Sequence, residues 1–341
     1  MSGKMVHEAL LYEKETDLRV KCALCAHRCR IDAGARGICG VRENREGVLY
    51  SLVYGQVIAE HIDPIEKKPL FHFLPGSLSF SVATAGCNFR CTFCQNHEIS
   101  QLPREEGRIV GQERAPARIV QQARQTGCSS ISYTYTEPTI YFEFAWDIAG
   151  IAREQGLKNV FVTNGYMTPE TLELLAPRLD AANVDLKSFR DDFYKKQCGA
   201  RLQPVLDSLR MMKERGIWVE VTTLLIPGLN DDEAELRDIA GFLFSLGAET
   251  PWHISRFHPQ YQMMKTSPTP AASIHTAAEI GKSAGLKYVY CGNLPGDAGE
   301  NTRCDHCGRV LIGRHGFAIE QLDLKGSACP HCGTPLAGIF R

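Results

Sequence analysis

Short apolar blocks recur through the middle of the chain. LSFSVAT (78–84), SISYTYT (130–136), NVFVT (159–163), AANVDLK (181–187), WVEVTTLLI (218–226), WHISRF (252–257) and KYVY (287–290) have the length and residue content of strands. Residues 116–126, 139–154, 169–178, 203–215, 231–246 and 270–284, which lie between those blocks, read as helices. Thr168-Pro169-Glu170 and Asn230-Asp231-Asp232 supply helix-start signals. Such alternation predicts a parallel sheet, either open and doubly wound or curled into a barrel. The polar residues favour the barrel. Cys87 follows the first strand, Glu137 ends the second, and Thr163-Asn164-Gly165 ends the third. Asp185 and Lys187 end the fourth, Thr222 and Thr223 lie in the fifth, His258 ends the sixth, and Asn293 follows the seventh. Each alone reads as a turn residue or a cap. Together they place polar groups on one rim, the C-terminal mouth where barrels carry their chemistry. The expected fold is α/β, a partial (β/α)6 barrel.

Composition sharpens this picture at the two ends. The 341 residues, 44% hydrophobic and 23% charged, suit one large domain with small appendages. A formal net charge of −1 gives no general attraction to nucleic acid or to an anionic membrane. No apolar run has the length to cross a bilayer, and the opening MSGKMVHEALLYEK lacks the apolar core of a secretory leader. The expected location is the cytoplasm. Fourteen cysteines in such a chain point to metal or cluster ligation rather than disulfides. Eleven fall into three groups, which divide the chain into a Cys-rich extension (1–76), the barrel (77–295) and a glycine-rich C-terminal segment (296–341). Cys128, Cys198 and Cys291 are isolated and read as small buried residues.

The central group, AGCNFRCTFCQN, spaces Cys87, Cys91 and Cys94 as C-x3-C-x2-C, with Phe93 before the third. Three thiolates on one loop suit three irons of a [4Fe–4S] cubane and leave the fourth iron open; neither ferredoxin spacing matches. An open iron can be chelated by the amino and carboxylate groups of S-adenosylmethionine (SAM), whose reductive cleavage yields a 5′-deoxyadenosyl radical. The competing reading is a zinc loop that borrows a fourth ligand.

At the C-terminus, CDHCG and CPHCG place Cys304, Cys307, Cys329 and Cys332 in two knuckles, a zinc-ribbon pattern. A closed four-thiolate site is structural, and the ion would supply much of this small segment's folding energy; rubredoxin-like iron is the alternative. At the N-terminus, CALCAHRCRIDAGARGICG places Cys22, Cys25, Cys29 and Cys39 in a spacing that fits zinc or a second [4Fe–4S] cluster. The glycines before Cys39 let the chain fold back to deliver the fourth thiolate. His27 is a further possible ligand, though four cysteines suffice.

AGCNFRCTFCQN, YTYTEP, VTNG, VDLK, EVTTLLIPGLND, PWHISRFHP and YVYCGNLPG together resemble the radical SAM superfamily over nearly the whole chain. Within it the sequence is similar to the relatives of pyruvate formate-lyase activating enzyme, and more narrowly to the radical SAM member of the AmmeMemoRadiSam group. The resemblance implies a partial barrel, a [4Fe–4S] cluster and SAM. It implies SAM contacts from the turn holding Glu137, from Asn164, from Asp185 and Lys187, from the position of Thr222 and from His258, with Phe93 and Asn293 beside the site. The activating enzymes' Gly-Gly-Glu-Pro turn is here Tyr135-Thr136-Glu137-Pro138, so the two glycines are absent. Tyr133 and Tyr135 read as packing residues. The implied partners are a low-potential electron donor such as flavodoxin or ferredoxin, and a protein substrate or Memo-like and AMMECR-like proteins. The implied reaction is hydrogen abstraction, from a glycine of a partner protein or else from another side chain or a small molecule. A non-catalytic metal scaffold is the contrasting class.

Overall fold

The computed structural model describes residues 7–340. Residues 1–6, part of the segment read as having no apolar leader core, and residue 341 lie outside the described residues. Seven parallel strands form the centre: β1 (Leu78–Thr84), β2 (Ser130–Tyr133), β3 (Lys158–Thr163), β4 (Ala181–Asp185), β5 (Trp218–Leu225), β6 (Trp252–Arg256) and β7 (Val289–Gly292). They lie side by side in chain order. Six helices connect them: α1 (Pro116–Gln125), α2 (Phe142–Glu154), α3 (Pro169–Leu175), α4 (Gln203–Glu214), α5 (Glu233–Leu246) and α6 (Ala271–Ser283). The partial (β/α)6 barrel is therefore present, with the seventh strand at its edge.

Local chemistry explains the element limits. Thr168 caps α3 by accepting from Thr171 N, and Asp232 caps α5 by accepting from Ala234 N and Glu235 N. The strands are buried on both faces, with Val82, Ile131, Phe161, Val184, Val221 and Ile254 at most 1% exposed, as parallel strands under a helical layer must be.

Beyond β1 the sheet continues with Gln56–Pro64, antiparallel to β1, and then Gln112–Glu113. Residues of the N-terminal extension thus contribute a strand to the barrel's sheet. The rest of that extension forms two small three-stranded sheets. The mouth at the N-terminal strand ends is closed by the loop after Gln56–Pro64. Buried Glu220, near the start of β5, accepts from Phe71 N (3.0 Å), His72 N (2.8 Å) and Trp218 Nε1 (3.0 Å), and bonds His253 Nε2 (2.7 Å). The C-terminal segment seals this loop from outside: Ile339 N donates to His72 O (2.8 Å) and Arg314 Nη2 to Phe71 O (2.8 Å). One end of the barrel is therefore plugged, which leaves the C-terminal strand ends for chemistry.

Candidate active site

The loop after β1 carries Cys87, Cys91 and Cys94 and is anchored from several sides. Gly86 has φ +110°, and a Cβ there would lie 2.7 Å from Val41 Cγ1, so only glycine fits. Arg90 N donates to Cys198 O and Thr92 N to Gln197 O, both at 2.9 Å. Arg104 Nη2 donates to Cys87 O (3.3 Å) and Arg104 Nη1 to Phe89 O (3.3 Å). Phe89 packs on Tyr166 and Phe93 on Phe193, which buries both loop phenylalanines. Hydrogen bonding with Cys198 and the neighbouring Lys187 ammonium lower the Cys91 thiol below its ordinary pKa despite burial. Burial pushes the thiols of Cys87 and Cys94 up.

Neighbouring strand ends converge on this loop. Asn164, after β3, donates from Nδ2 to Asn88 Oδ1 (2.7 Å) and approaches Cys87 Sγ (3.9 Å). The turn there depends on Gly165 at φ +68°, where a Cβ would meet Val184 Cγ1 at 2.8 Å. Glu137 is fully committed beneath Asn164. Its Oε1 accepts from Thr139 N (3.0 Å), Thr139 Oγ1 (2.6 Å) and Thr163 Oγ1 (2.7 Å), and its Oε2 from Asn164 N (2.8 Å). Lys187 Nζ pairs with Asp185 Oδ2 (2.8 Å) and lies 5.7 Å from the Phe93 ring centroid. Burial draws the Lys187 pKa down, but Asp185 and the thiols of Cys91 and Cys198 outweigh burial and hold it well above the usual value.

Several sequence expectations change. The second strand stops at Tyr133, so Glu137 does not end it but caps the turn Pro138–Tyr141. Tyr135 follows that strand with φ +63°. It thus occupies the left-handed region that glycine would favour, in a turn where the activating enzymes carry glycines. It is more than a packing residue: its hydroxyl donates to Asp63, and Lys68 Nζ sits 4.6 Å from its ring centroid. The sixth strand ends at Arg256, and His258 lies exposed beyond it. Thr222 points deeper into the barrel and donates to Asn183 Oδ1 (2.9 Å). Asn293, exposed and at φ +58°, donates to Ser255 Oγ (2.8 Å) and Arg256 O (3.3 Å). Cys87, Cys91, Phe93, Cys94, Asn164, Asp185 and Lys187 therefore meet, with Glu137 as a brace, and Thr222 lies opposite Asp185 in the sheet register. Spacing gave no hint of Cys198, which is wholly buried against Cys91.

At the far end of the chain, Cys304 Sγ and Cys332 Sγ are 3.5 Å apart and Cys307 Sγ and Cys329 Sγ 3.7 Å apart. All four sulfurs lie within 4.8 Å of one another. The two knuckles repeat one backbone pattern: Gly308 N donates to Cys304 O and Gly333 N to Cys329 O, both at 2.9 Å.

The family model described as "Radical SAM superfamily" matches residues 81–240. The uncharacterized protein MJ0808 of Methanocaldococcus jannaschii is 49% identical over 334 residues, covering 97% of this chain and 99% of that one. GTP 3',8-cyclase of Lactiplantibacillus plantarum is 24% identical over 284 residues, covering 74% of this chain and 82% of that one. A radical SAM methyltransferase structure from Sphaerobacter thermophilus superposes with a TM-score of 0.52 at 18% identity, covering 70% of this chain and 71% of that one. Streptococcus suis SuiB bound to S-adenosylmethionine gives 0.51 at 16% identity, covering 67% of this chain and 53% of that one. These structural likenesses concern the fold. The chain belongs to the radical SAM superfamily. It is accordingly an enzyme of a family whose cofactors are a [4Fe–4S] cluster and SAM. Among the described residues, no helix is long and apolar enough to cross a membrane.

Proposed function

We propose that Cys87, Cys91 and Cys94 hold the catalytic [4Fe–4S] cluster and that the enzyme abstracts hydrogen from a glycine of a partner protein. The observation that carries the site assignment is the convergence of three thiols with Asn164, Asp185 and Lys187 on one barrel mouth. The donor set fits: three thiols share one loop, and the buried Asn88 Nδ2 beside them has no partner among the described residues. When bound, the cluster supplies the electron that cleaves SAM at its open iron.

The chain's own residues prepare that mouth. Lys187, beside Cys91, offsets the negative charge of the thiolates. Asp185, with 38% of its side chain exposed, keeps an oxygen for the SAM ammonium or a ribose hydroxyl. Asn164 positions its amide between Asn88 and Cys87. Buried Phe89 and Phe93 exclude water from the inner side of the loop. A low-potential one-electron donor of flavodoxin or ferredoxin type completes the reaction. The ribbon quartet takes one structural zinc, since a tetrahedron with Zn–S near 2.3 Å has sulfur–sulfur edges of about 3.8 Å, close to the observed 3.5 and 3.7 Å.

What supports a glycine substrate is the set Glu137-Pro138, Asn164-Gly165 and Asp185-Leu186-Lys187, which resembles that of the activating enzymes. The test is label transfer. Candidate partner proteins made with deuterated glycine are incubated anaerobically with enzyme, SAM and reductant, and 5′-deoxyadenosine is examined by mass spectrometry. Deuterium in that product from glycine-labelled protein supports the reading. Deuterium only from other labelled residues or from small molecules overturns the glycine assignment.

A further inference from the structure

Cys22, Cys25, Cys29 and Cys39 lie outside the site described so far. Cys22, Cys25 and Cys39 are buried and Cys29 partly so. Cys22 N donates to Cys29 O (2.9 Å), which closes the first turn of the group. The chain returns past Gly37, where a Cβ would lie 3.2 Å from Ile31 Cδ1 and 3.8 Å from Cys29 Sγ. The four thiols are electrostatic neighbours of one another.

A second, independent feature points to an anionic centre among them. Arg42 is 1% exposed. Its Nη2 pairs with Glu143 and donates to Leu10 O (3.1 Å), but Nε and Nη1 have no partner among the described residues. Arg42 follows Cys39 by three residues, and Gly37 N donates to Arg42 O (2.9 Å) across the turn that carries Cys39. Buried N–H groups in folded proteins almost always find acceptors, and an unmet buried guanidinium is costly. Thiolates and sulfides of a cluster are such acceptors.

Spacing separates a cluster from a single ion. Among the described residues, the sets of three or more ligand atoms lying within 4.8 Å of one another are the ribbon quartet and His275, Cys291 and Asp297. No three of the N-terminal thiols lie within 4.8 Å of one another, and neither do the three of the barrel loop. One zinc draws four sulfurs together at about 3.8 Å; a cubane, with an iron at each of four corners, holds its thiolates further apart. Four thiolates also close every iron, so such a cluster has no position for SAM and its chemistry is electron transfer.

Its location suits that role. His27 Nε2 bonds Asn88 O (2.9 Å), next to Cys87. Arg104 Nη2 donates to both Ile38 O (2.9 Å) and Cys87 O (3.3 Å), which joins the neighbour of Cys39 to the barrel loop. A Cβ on Gly86 would lie 3.4 Å from Cys39 O. We propose that Cys22, Cys25, Cys29 and Cys39 hold a second [4Fe–4S] cluster in electron-exchange contact with the first. One electron enters from a low-potential donor, passes to the barrel cluster, and no bond forms or breaks. The exchange half rests on the assignment of Cys87, Cys91 and Cys94; the second cluster itself does not.

The test uses the full chain, reconstituted anaerobically with iron and sulfide and chemically reduced. Wild type carries about eight irons per chain, and the variant with Cys87→Ala, Cys91→Ala and Cys94→Ala keeps about four. That variant's reduced-cluster EPR signal is unchanged by SAM. The Cys25→Ser, Cys29→Ser variant loses this signal and retains a SAM-sensitive one. With both clusters reduced, spin coupling broadens the wild-type spectrum, so that it is not the sum of the two variants' spectra. An iron-free triple variant with zinc at its N-terminal cysteines overturns the second cluster. Purely additive spectra overturn the exchange. The triple variant leaves the N-terminal group untouched, so its iron content decides even where the serine variant fails to fold. A SAM-sensitive signal in the triple variant overturns both this role and the barrel-loop assignment.

Discussion

Glu137→Gln separates a bracing carboxylate from one that touches SAM. Three of its four donors converge on Oε1, and Asn164 N alone donates to Oε2. A glutamine keeps an oxygen for the three but turns an amine toward Asn164 N–H, which leaves a buried donor facing a donor. Such a loss costs about 1–3 kcal/mol. At roughly 2 °C per kcal/mol for a chain of this size, the melting temperature of the reconstituted enzyme falls by about 2–6 °C. Glu137→Ala removes both acceptor oxygens, and with them all four hydrogen bonds, from a site 2% exposed and costs more. The displaced Asn164 then loosens the bond to Asn88 beside Cys87, so cleavage slows while the iron stays. The assay pairs anaerobic thermal melts with iron content and calorimetric SAM binding. Unchanged melting in Glu137→Gln with a SAM affinity a hundred-fold weaker would refute the bracing role and place the carboxylate on SAM.

Asp63 accepts from Lys68 Nζ (2.7 Å), Lys67 Nζ (2.9 Å), Ser81 Oγ (2.8 Å) and the Tyr135 hydroxyl. Burial works to raise its pKa, but Lys68, Tyr135 and Lys67 outweigh burial and hold it well below the usual carboxylate range. A depressed folded pKa gives stability that is complete above the unfolded value, about 3.9, and lost as pH falls through the folded one. Asp63→Asn therefore destabilises by about 3–5 kcal/mol at neutral pH, and urea midpoints show the gap to wild type shrinking below about pH 4; a gap that widens as pH falls through about 4 contradicts the sign. Cys304→Ser releases about one zinc per chain to a chromogenic chelator and exposes residues 296–341 to proteolysis while the barrel iron stays; well-folded wild type without zinc rules the ribbon assignment out.

The barrel was legible because its signals are local. Blocks buried on both faces announce strands, and Thr168 and the 230–232 segment mark helix starts from their own side chains. Gln56–Pro64 carries mixed polar residues, QVIAEHIDP, and becomes a strand only because β1 offers it an edge. The plug at residues 65–76 owes its position to Glu220, roughly 150 residues away in sequence, which no periodicity reports. Asp185 ends β4, and Asn164 and Lys187 follow the ends of β3 and β4 by one and two residues, so strand-end reasoning reached them. His258 and Glu137 were placed at strand ends that the backbone reaches two and four residues earlier. Arg42 and Cys198 gain meaning only from partners distant in sequence, so their types and spacing gave no sign of them.

The central claim is that Cys87, Cys91 and Cys94 hold the cluster that cleaves SAM. EPR of the reduced protein with and without SAM, paired with detection of 5′-deoxyadenosine, tests it most directly. In wild type SAM shifts the reduced-cluster signal and 5′-deoxyadenosine accumulates. In the triple alanine variant the SAM-dependent shift and the product both vanish, while the ribbon zinc remains. A SAM-dependent shift and undiminished 5′-deoxyadenosine in that variant would contradict the account.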